Sequence, residues 1–420
     1  MKFNICNLGC KVNTYESNMM SEILKRKGYQ ETNPDEAEII IINTCCVTDV
    51  ALHKSLKMIR RYKNKNLIVV GCMTQVKSDL VKDIPNVNII LGNNGKSKID
   101  EYIEKYNKTK TQIIDIKDLN NIEFENMNLE NFNQTRAFVK IEDGCENFCS
   151  YCIIPYTRGK VRSRSISNIL EEIKNLVNKG HKEIVLTGIH TGHYNYEGSR
   201  LSYLLYLISQ IKEVERIRIS SIEITELDQD FLNQLKTNNK IVDHLHIPLQ
   251  TGCDSVLKDM NRKYDIKYYI NKINEIKKIR PNMNITTDVI VGYPTETEEN
   301  FKETIKNIKK LKFGKIHVFP YSKREGTKAF ELEDINNNIK KERVHELLQV
   351  SKELEINFLN KHLNKEVYFL PEVYKDNYLI GHTGDYILVK CKGNKNNLNK
   401  IIKTKIIEIK YPYCIGESNG

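Results

Sequence analysis

Short apolar runs that alternate with longer amphipathic stretches organise the first quarter of the chain. The run "IIII" at 39–42 and the run "LIVV" at 67–70 each lead to a cysteine and then to helical periodicity, and the first apolar run, "MKFNIC", does the same. Strand-then-helix alternation of this kind predicts a parallel sheet. Residues 1–106 are therefore predicted to form a parallel-sheet α/β domain.

Six further apolar runs, separated by helical stretches, fill residues 135–361. The strand candidates are "AFVKIEDG", "EIVLTGIH", "RIRISSIE", "HLHIPLQ", "ITTDVIVGY" and "KIHVFPYS". Six β/α units are fewer than the eight of a closed barrel, so the pattern predicts an open, partial (β/α)6 barrel. Its active site is expected at the carboxyl ends of the strands.

The two remaining segments differ in pattern from these domains. Residues 107–134 are polar and rich in Asn, which predicts a linker. Residues 362–420 alternate apolar and polar positions around Gly and Asn, which predicts a small all-β barrel. Such a barrel binds RNA in some proteins and serves only for packing in others, so the pattern leaves its role open. The predicted fold class is α/β with this small barrel at the C-terminus.

Composition narrows the setting of the protein. The 420 residues carry a formal charge of +11, which is compatible with a polyanionic partner and also with a merely Lys-rich surface. The N-terminus shows no apolar h-region and no cleavage site, and no apolar run approaches the length of a membrane span, which predicts a cytoplasmic protein without membrane contact. Eleven cysteines in such a protein favour metal or redox chemistry over disulfides.

The segment "DGCENFCSYCIIPYTRG" places Cys145, Cys149 and Cys152 within eight residues. A structural zinc site needs four ligands, and a redox dithiol needs a single C-x2-C pair. A cubane iron–sulfur cluster has four irons that normally take one Cys each, so three cysteines leave one iron free for a substrate. The spacing therefore predicts a cluster with an open coordination position.

Cys10, Cys45 and Cys72 follow the three predicted N-terminal strands. Because ligands gather at the carboxyl ends of parallel strands, these cysteines are expected to converge on one edge of the sheet. The alternative is three small buried cysteines of the core. Spacing leaves Cys6 and Cys46 open as ligands, although strand alternation points Cys46 away from Cys45.

The C-x3-C-x2-C loop after the first strand of a partial barrel resembles the signature of radical S-adenosylmethionine (SAM) enzymes. The motifs "LGCKVNTYES", "INTCCVT", "VVGCM", "HIPLQTG", "DVIVGYPTETEENF" and "HVFPYSKREGTKA" resemble the methylthiotransferase family within that superfamily, in the same order along essentially the whole chain. The terminal β unit resembles the family's TRAM domain. The resemblance implies an enzyme with SAM, two [4Fe-4S] clusters and an external one-electron donor.

The resemblance also implies site residues. Cys145, Cys149 and Cys152 hold the cluster that chelates and cleaves SAM, and Cys10, Cys45 and Cys72 hold the second cluster. In the family, one SAM methylates a sulfur at the second cluster and another supplies the radical. Tyr151 is expected near the adenine of SAM. The expected SAM-binding strand ends are Thr187, Gly188, Ser221, Glu223, Val291 and Gly292.

Members of the family modify adenosine-37 of transfer RNA or an aspartate of a ribosomal protein. The wording "CKVNTYES", "GKVRSRS" and "LTGIHTGHY" resembles the members that act on N6-threonylcarbamoyladenosine-37. The alternatives are N6-isopentenyladenosine-37, the ribosomal-protein aspartate, and a non-catalytic iron–sulfur RNA-binding protein. A monomer is expected, and two basic segments are predicted to contact the anticodon stem-loop: Lys57, Arg60, Arg61, Arg158, Arg162 and Arg164.

Overall fold

The N-terminal domain of the computed structural model, which describes residues 1–417, is one parallel sheet with helices on both faces. Its strands are β1 (Lys2–Asn7), β2 (Gln30–Glu31), β3 (Ile39–Thr44), β4 (Asn66–Gly71), β5 (Val87–Leu91) and β6 (Ile113–Asp115), in the spatial order β2-β1-β3-β4-β5-β6. The helices are α1 (Lys11–Arg26), α2 (Asp49–Arg61), α3 (Cys72–Lys77) and α4 (Ile99–Thr109). The sheet and its helices confirm the predicted α/β domain.

The apolar run at 39–42 shows why this sheet is covered on both sides. Ile39 and Ile41 belong to one hydrophobic core, and Ile40 and Ile42 belong to another. A strand buried on both faces has no polar alternation, so it gives a continuous apolar run in the sequence. The central strands of the domain are therefore fixed by burial rather than by an amphipathic pattern.

The middle domain contains the six predicted strands. Its elements are β7 (Ala137–Lys140), β8 (Glu142–Asp143), α5 (Ile154–Arg158), β9 (Arg162–Ser163), α6 (Ile166–Asn178), β10 (Glu183–Thr187), β11 (Asn195–Tyr196), β12 (Ser199–Arg200), α7 (Leu201–Ser209), β13 (Arg216–Ile219), α8 (Gln229–Thr237), β14 (His244–His246), α9 (Asp254–Asp259), α10 (Ile266–Ile279), β15 (Asn284–Val291), α11 (Glu298–Leu311), β16 (Lys315–Pro320) and α12 (Asn337–Asn360). Strands β7-β10-β13 and β14-β15-β16 form two parallel sheets, and a bridge between Ile217 and Ile241 connects them into an open barrel wall. The predicted partial barrel is confirmed.

The C-terminal domain is a closed five-stranded barrel, as the alternating pattern predicted. Its strands are β17 (Glu366–Lys375), β18 (Tyr378–Thr383), β19 (Leu388–Lys392), β20 (Ile402–Lys410) and β21 (Tyr413–Glu417), closed in the order β17-β18-β19-β21-β20. Arg216 donates to the carbonyl of Tyr368 at 2.9 Å, and Asn284 donates to that of Asp385 at 2.7 Å. Because Arg216 and Asn284 begin core strands, the barrel packs at the end opposite the predicted active site.

The predicted linker is more structured than its polar composition indicated. Strand β6 lies inside it and extends the N-terminal sheet past residue 106. Met127, Leu129 and Phe132 are buried in the same hydrophobic core as α1 and α6. The segment therefore joins the first two domains by packing between them. The last three residues of the predicted C-terminal domain, 418–420, lie outside the described part of the chain.

Candidate active site

The loop that carries Cys145, Cys149 and Cys152 is anchored at several points of its backbone. The amide of Cys145 donates to the carbonyl of Gly159 at 3.0 Å, and the amide of Ser150 donates to that of Met260 at 3.1 Å. Gly144 has φ +97°, and a Cβ built there would lie 2.0 Å from the carbonyl oxygen of Lys160. Only glycine fits this position without displacing the backbone. The start of the loop is therefore fixed before any group binds.

The three thiols of this loop are free and half-buried, and they touch charged groups. The guanidinium of Arg262 donates to Sγ of Cys149 at 3.2 Å, and Sγ of Cys145 lies 4.0 Å from Nδ1 of His190. Burial, together with the neighbouring Cys149, raises the pKa of Cys152 to about 12. Metal binding would convert these thiols to thiolates, because a metal is coordinated by the thiolate form.

The spacing of the donors fits a cluster better than a single ion. Within residues 1–417, two groups of three side chains bring their ligand atoms within 4.8 Å of one another, as one ion requires: His190–His193–Glu226 and His246–Asp288–His317. The cysteine triads are not among them. Three soft sulfur donors held further apart suit a cubane, which distributes its thiolates over different irons.

The predicted SAM-binding residues lie where the core strands end. Thr187 is the last residue of β10, Ser221 and Glu223 follow β13, and Val291 ends β15. The Glu223 carboxylate accepts from Asn147 at 2.8 Å and pairs with Arg262 at 3.1 Å. Glu223 is thus joined through Arg262 to the thiol of Cys149.

The other residues that were predicted to bind SAM each contact a particular neighbour in the middle domain. Tyr151 packs against the cluster of Met260 and Tyr293. The amide of Gly292, whose φ is +70°, donates to Glu296 at 2.8 Å. Gly188 faces Glu142, and a Cβ on it would lie 2.6 Å from that carboxylate. These side chains share the carboxyl end of the partial barrel with the cysteine loop.

Arg262 is the main site residue that the sequence did not reveal. It lies in the polar stretch "NRKY" after α9, which has no periodic pattern. Its position beside Cys149 and Glu223 arises from a contact across more than one hundred residues of chain, so no local signal identifies it. His190 lies within the motif "LTGIH", from which only Thr187 and Gly188 were predicted as site residues, so the sequence analysis missed it as well.

Cys10, Cys45 and Cys72 occupy the carboxyl ends of three adjacent parallel strands. Cys10 is the N-cap of α1 after β1, Cys45 follows β3, and Cys72 begins α3 after β4. The side-chain amide of Asn93 donates to Sγ of Cys72 at 3.4 Å. Burial, together with the neighbouring Cys72 thiol, raises the pKa of Cys45 to about 11.

The two other cysteines of this domain have different environments. Cys46 is 4% exposed and packs in the same hydrophobic core as Ile42 and Cys72, whereas Cys45 is half-buried. Cys6 lies in β1, and burial raises its pKa as well. Because Cys46 shares this core with Cys72, burial does not separate it from the predicted ligands, and its exclusion from the ligand set stays a prediction.

Helix α5 brings the two cysteine triads to neighbouring positions. Ile153, which follows Cys152, packs in the core that contains Cys46 and Cys72. The Asn93 amide that touches Cys72 also donates to the carbonyl of Thr157 at 2.7 Å. The short helix α5 thus contacts both cysteine-bearing edges, namely the loop of Cys145, Cys149 and Cys152 and the end of the N-terminal sheet that carries Cys10, Cys45 and Cys72.

Buried charges lock α5 against the N-terminal domain. Arg158 donates to Glu16 at 2.6 Å and to Asn13 at 2.9 Å, both on α1. Lys140 of β7 reaches the same Glu16 carboxylate at 2.9 Å, and Lys96 contacts it as well. All four charged side chains are at most 3% exposed.

This burial contradicts half of the predicted RNA contacts. Arg158 and Arg164 are completely buried, and Arg164 pairs with Glu172. Arg162 is 9% exposed and donates to the carbonyls of Leu119, Lys160 and Arg158. These arginines hold domains and loops together and cannot reach RNA. Lys57, Arg60 and Arg61 on α2 are exposed, so their contact with RNA stays a prediction.

Comparison with known proteins agrees with this architecture. Residues 139–308 match the radical SAM superfamily, and residues 2–92 match a family described as uncharacterized protein family UPF0004. A radical S-adenosylmethionine methyltransferase from Kitasatospora setae, TsrM, superposes with a TM-score of 0.57 at 11% identity, over 78% of this chain and 77% of that one. This likeness supports the fold alone. Across the described residues, no helix has the length and apolarity needed to traverse a bilayer.

Two curated relatives align along nearly the entire length. The threonylcarbamoyladenosine tRNA methylthiotransferase MtaB of Bacillus subtilis is 39% identical over 98% of this chain and 94% of its own length. The tRNA-2-methylthio-N(6)-dimethylallyladenosine synthase of Clostridium tetani is 37% identical over 96% and 93%. Such identity across all three domains shows common family membership: the chain belongs to the methylthiotransferase family of radical SAM enzymes, whose shared cofactors are SAM and a [4Fe-4S] cluster.

Proposed function

We propose that this enzyme replaces the C2 hydrogen of N6-threonylcarbamoyladenosine-37 in transfer RNA with a methylthio group, using SAM and two [4Fe-4S] clusters. The observation that carries the proposal is the pair of cysteine triads that α5 contacts on both sides. Three thiolates leave one iron of a cubane open, so each triad provides a cluster that still accepts a ligand. The name of the Bacillus subtilis relative supplies the substrate.

In this proposal each triad has its own cluster. Cys145, Cys149 and Cys152 hold the cluster that binds SAM, and the set Cys10, Cys45 and Cys72 holds the second. When bound, these groups supply the one-electron chemistry that removes an unreactive hydrogen and the sulfur that takes its place.

The chain contributes fixed geometry between the two sets. The Glu16–Arg158 pair holds α5 to α1, and Nε of Arg324 donates to the carbonyl of Val47 at 3.1 Å, next to the Cys45–Cys46 turn. These contacts join the middle domain to α1 and to the loop after β3. A target base placed between the two sets is held near both clusters, which lowers the entropic part of the barrier.

Arg262 is proposed to orient the SAM-binding end of the barrel, since it contacts Cys149 and Glu223 at once. We expect Arg262→Met to lower the rate of 5′-deoxyadenosine formation about 10–100-fold, the usual effect of losing a partner behind a metal ligand. The rate is measured anaerobically with a chemical reductant and normalised to iron content. The control is Arg200→Met, which removes an arginine that is 56% exposed and pairs with Asp228. Equal rates for both variants would contradict this role.

A basic region beside Cys10 favours a substrate that carries a carboxylate. Lys11 is half-buried, and within residues 1–417 its ammonium forms no hydrogen bond or ion pair. Burial lowers the pKa of Lys11, Tyr386 raises it, and the guanidiniums of Arg136 and Arg218 lower it again. Both guanidiniums lie over the Tyr386 ring, at 5.2 and 4.7 Å. Arg136 already pairs with Glu372 and Arg218 with Glu183, so Lys11 is the cation to which a threonylcarbamoyl carboxylate would add a partner, whereas an isopentenyl group would not.

We expect Lys11→Met to raise the KM for threonylcarbamoylated RNA about 10–150-fold, because a charge-assisted contact contributes roughly 1.5–3 kcal/mol. Initial rates of methylthiolation against RNA concentration measure this. The matched control is Lys108→Met, which removes an exposed lysine of α4. An unchanged KM for Lys11→Met would remove the structural reason for preferring the threonylcarbamoyl substrate.

The remaining partners follow from the same chemistry. The exposed residues Lys57, Arg60 and Arg61 are proposed to contact phosphates of the anticodon stem-loop. The electron for SAM cleavage is proposed to come from an external one-electron donor, and the enzyme is proposed to act as a monomer.

Nucleoside mass spectrometry of transfer RNA tests the proposed function in cells that lack their own methylthiotransferases. Expression of this chain is expected to produce 2-methylthio-N6-threonylcarbamoyladenosine. A methylthio-isopentenyladenosine signal instead would keep the chemistry and overturn the substrate. The absence of both, with iron and sulfide fully loaded, would favour a ribosomal-protein substrate or a non-catalytic RNA-binding protein.

A further inference from the structure

Two exposed aromatic side chains lie on the segment that carries the radical-cluster cysteines. Phe148 precedes Cys149, and Tyr156 lies on α5, which contacts both cysteine-bearing edges. Each is 47% exposed. Their ring centroids are 6.1 Å apart, and the ring planes meet at 81°. The pair leaves a large part of both rings open to solvent at the rim of the candidate active site.

The backbone holds Phe148 in this outward position at the expense of a strained conformation. Its φ is +45°, a left-handed value that a bulky residue rarely adopts. The side-chain amide of Asn261 donates to the carbonyls of Asn147 at 3.3 Å and Phe148 at 2.9 Å, which fixes this geometry from the other side of the loop. Strain of this kind is common at ligand sites, where surrounding contacts enforce it.

An exposed lysine, Lys263, is held beside this loop by Asn261. The ammonium of Lys263 donates to Oδ1 of Asn261 at 2.9 Å, and Lys263 is exposed. Asn261 therefore links an exposed lysine directly to the carbonyl of the exposed phenylalanine. Aromatic faces together with a lysine are the combination that binds unpaired nucleotides, by stacking on bases and by neutralising phosphates.

We propose that Phe148 and Tyr156 form a stacking platform for an unpaired base of the RNA loop next to the target nucleotide, and that Lys263 meets the adjoining phosphate. The proposal rests on the proposed function, because that function makes an RNA loop the partner. Stacking tolerates any base, so one platform serves transfer RNAs of different loop sequence. A second exposed pair, Tyr203 and Tyr206 on the outer helix α7, stacks on itself with an interplanar angle of 24° and provides a matched control.

The chain contains no Trp, so a single substitution creates a specific reporter of stacking. Phe148→Trp is titrated with an anticodon stem-loop RNA and with a duplex of the same stem that lacks the unpaired loop. We expect saturable quenching of the Trp fluorescence by the stem-loop and little by the duplex, and no quenching in Tyr203→Trp. Equal quenching by both RNAs, or none at position 148, would overturn the platform.

Kinetics give an independent readout. Phe148→Ala and Tyr156→Ala are each expected to raise the KM for RNA about tenfold, the usual effect of losing one stacking partner. Tyr203→Ala is expected to keep the KM of the unsubstituted chain, and Phe148→Tyr is expected to restore it. Iron content is measured in every preparation, so that a variant with a misfolded loop is recognised.

The choice of reductant distinguishes the two kinds of partner that exposed aromatic rings bind, which are RNA and a protein electron donor. With dithionite, no protein donor is needed, so an increased KM for RNA supports the RNA platform. A defect that is present with a protein electron donor and absent with dithionite would assign the rings to that donor and overturn the proposal. If the unsubstituted chain forms no methylthio product, the proposed function fails; if it forms product and the alanine variants keep its KM, only the platform fails.

Discussion

Replacement of Cys45 by alanine is expected to abolish methylthio transfer to RNA while SAM is still converted to 5′-deoxyadenosine. Cys45 lies at the carboxyl end of strand β3 in the N-terminal sheet, whereas Cys145, Cys149 and Cys152 lie on a separately anchored loop of the middle domain. Loss of one N-terminal thiolate therefore removes the sulfur-carrying site and leaves the SAM site intact. Both products are measured by mass spectrometry in one anaerobic reaction.

The adjacent Cys46 provides the matched control. It is buried in the same apolar core as Cys72 but is not one of the three proposed ligands, so Cys46→Ala is expected to keep both products, with some loss of stability from the smaller side chain. About eight irons are expected in the unsubstituted chain and about four when Cys10, Cys45 and Cys72 are all replaced, since each cubane has four. Full transfer by Cys45→Ala together with its loss in Cys46→Ala would contradict the ligand assignment.

Glu16→Ala is expected to lower the free energy of unfolding by about 3–5 kcal/mol, the usual cost of leaving buried charges without a partner. Three buried cations, Lys96, Lys140 and Arg158, share this one carboxylate. Lys140 and Arg158 belong to the core, so the substitution also weakens the contact that joins it to the N-terminal domain. Urea unfolding of the metal-free chain at neutral pH measures the loss.

Glu22→Ala, on the same helix, is the control, because Glu22 pairs with the half-exposed Arg26 and accepts from the exposed amide of Glu130, contacts open to solvent whose loss costs only about 1 kcal/mol. The effect of Glu16 also has a pH signature. Burial by itself would raise its pKa, but Arg158, Lys140 and Lys96 hold the pKa of Glu16 well below its usual value. Its stabilisation is therefore complete above the unfolded pKa of about 4.3 and is lost as the pH falls below it. A difference between Glu16→Ala and the unsubstituted chain that persists unchanged at low pH would contradict the ion-pair explanation.

Apolar patterning predicted the elements whose burial is local. All six core strands were predicted, because each is a run of apolar residues between polar helices. In the N-terminal domain, strands β2, β5 and β6 were not predicted. Strand β2 has two residues, the short apolar run of β5 was missed, and β6 lies in an Asn-rich segment where its pairing with β5 rather than its own pattern makes it a strand. The convergence of Cys10, Cys45 and Cys72 followed from topology, because parallel strands present their ends at one edge.

Long-range charge pairing could not be predicted in the same way. The segment "TRGKVRSR" contains only basic charges, which suggested an RNA contact, yet the carboxylates that neutralise Arg158 and Arg164 are Glu16 and Glu172. Glu16 is 142 positions from Arg158, and only the packed domains bring them together. Composition indicates how many charges a segment has, and the tertiary structure determines which of them remain free.

A competition between two RNA substrates tests which modified adenosine the enzyme methylthiolates. The purified enzyme, with both clusters loaded under anaerobic conditions, receives SAM, a reductant and equal amounts of two stem-loops that differ only in the group on N6 of adenosine-37. We expect the threonylcarbamoyl RNA to gain the mass of a methylthio group and the isopentenyl RNA to remain unmodified. Modification of the isopentenyl RNA alone, or of neither RNA while 5′-deoxyadenosine accumulates, would contradict the proposed function.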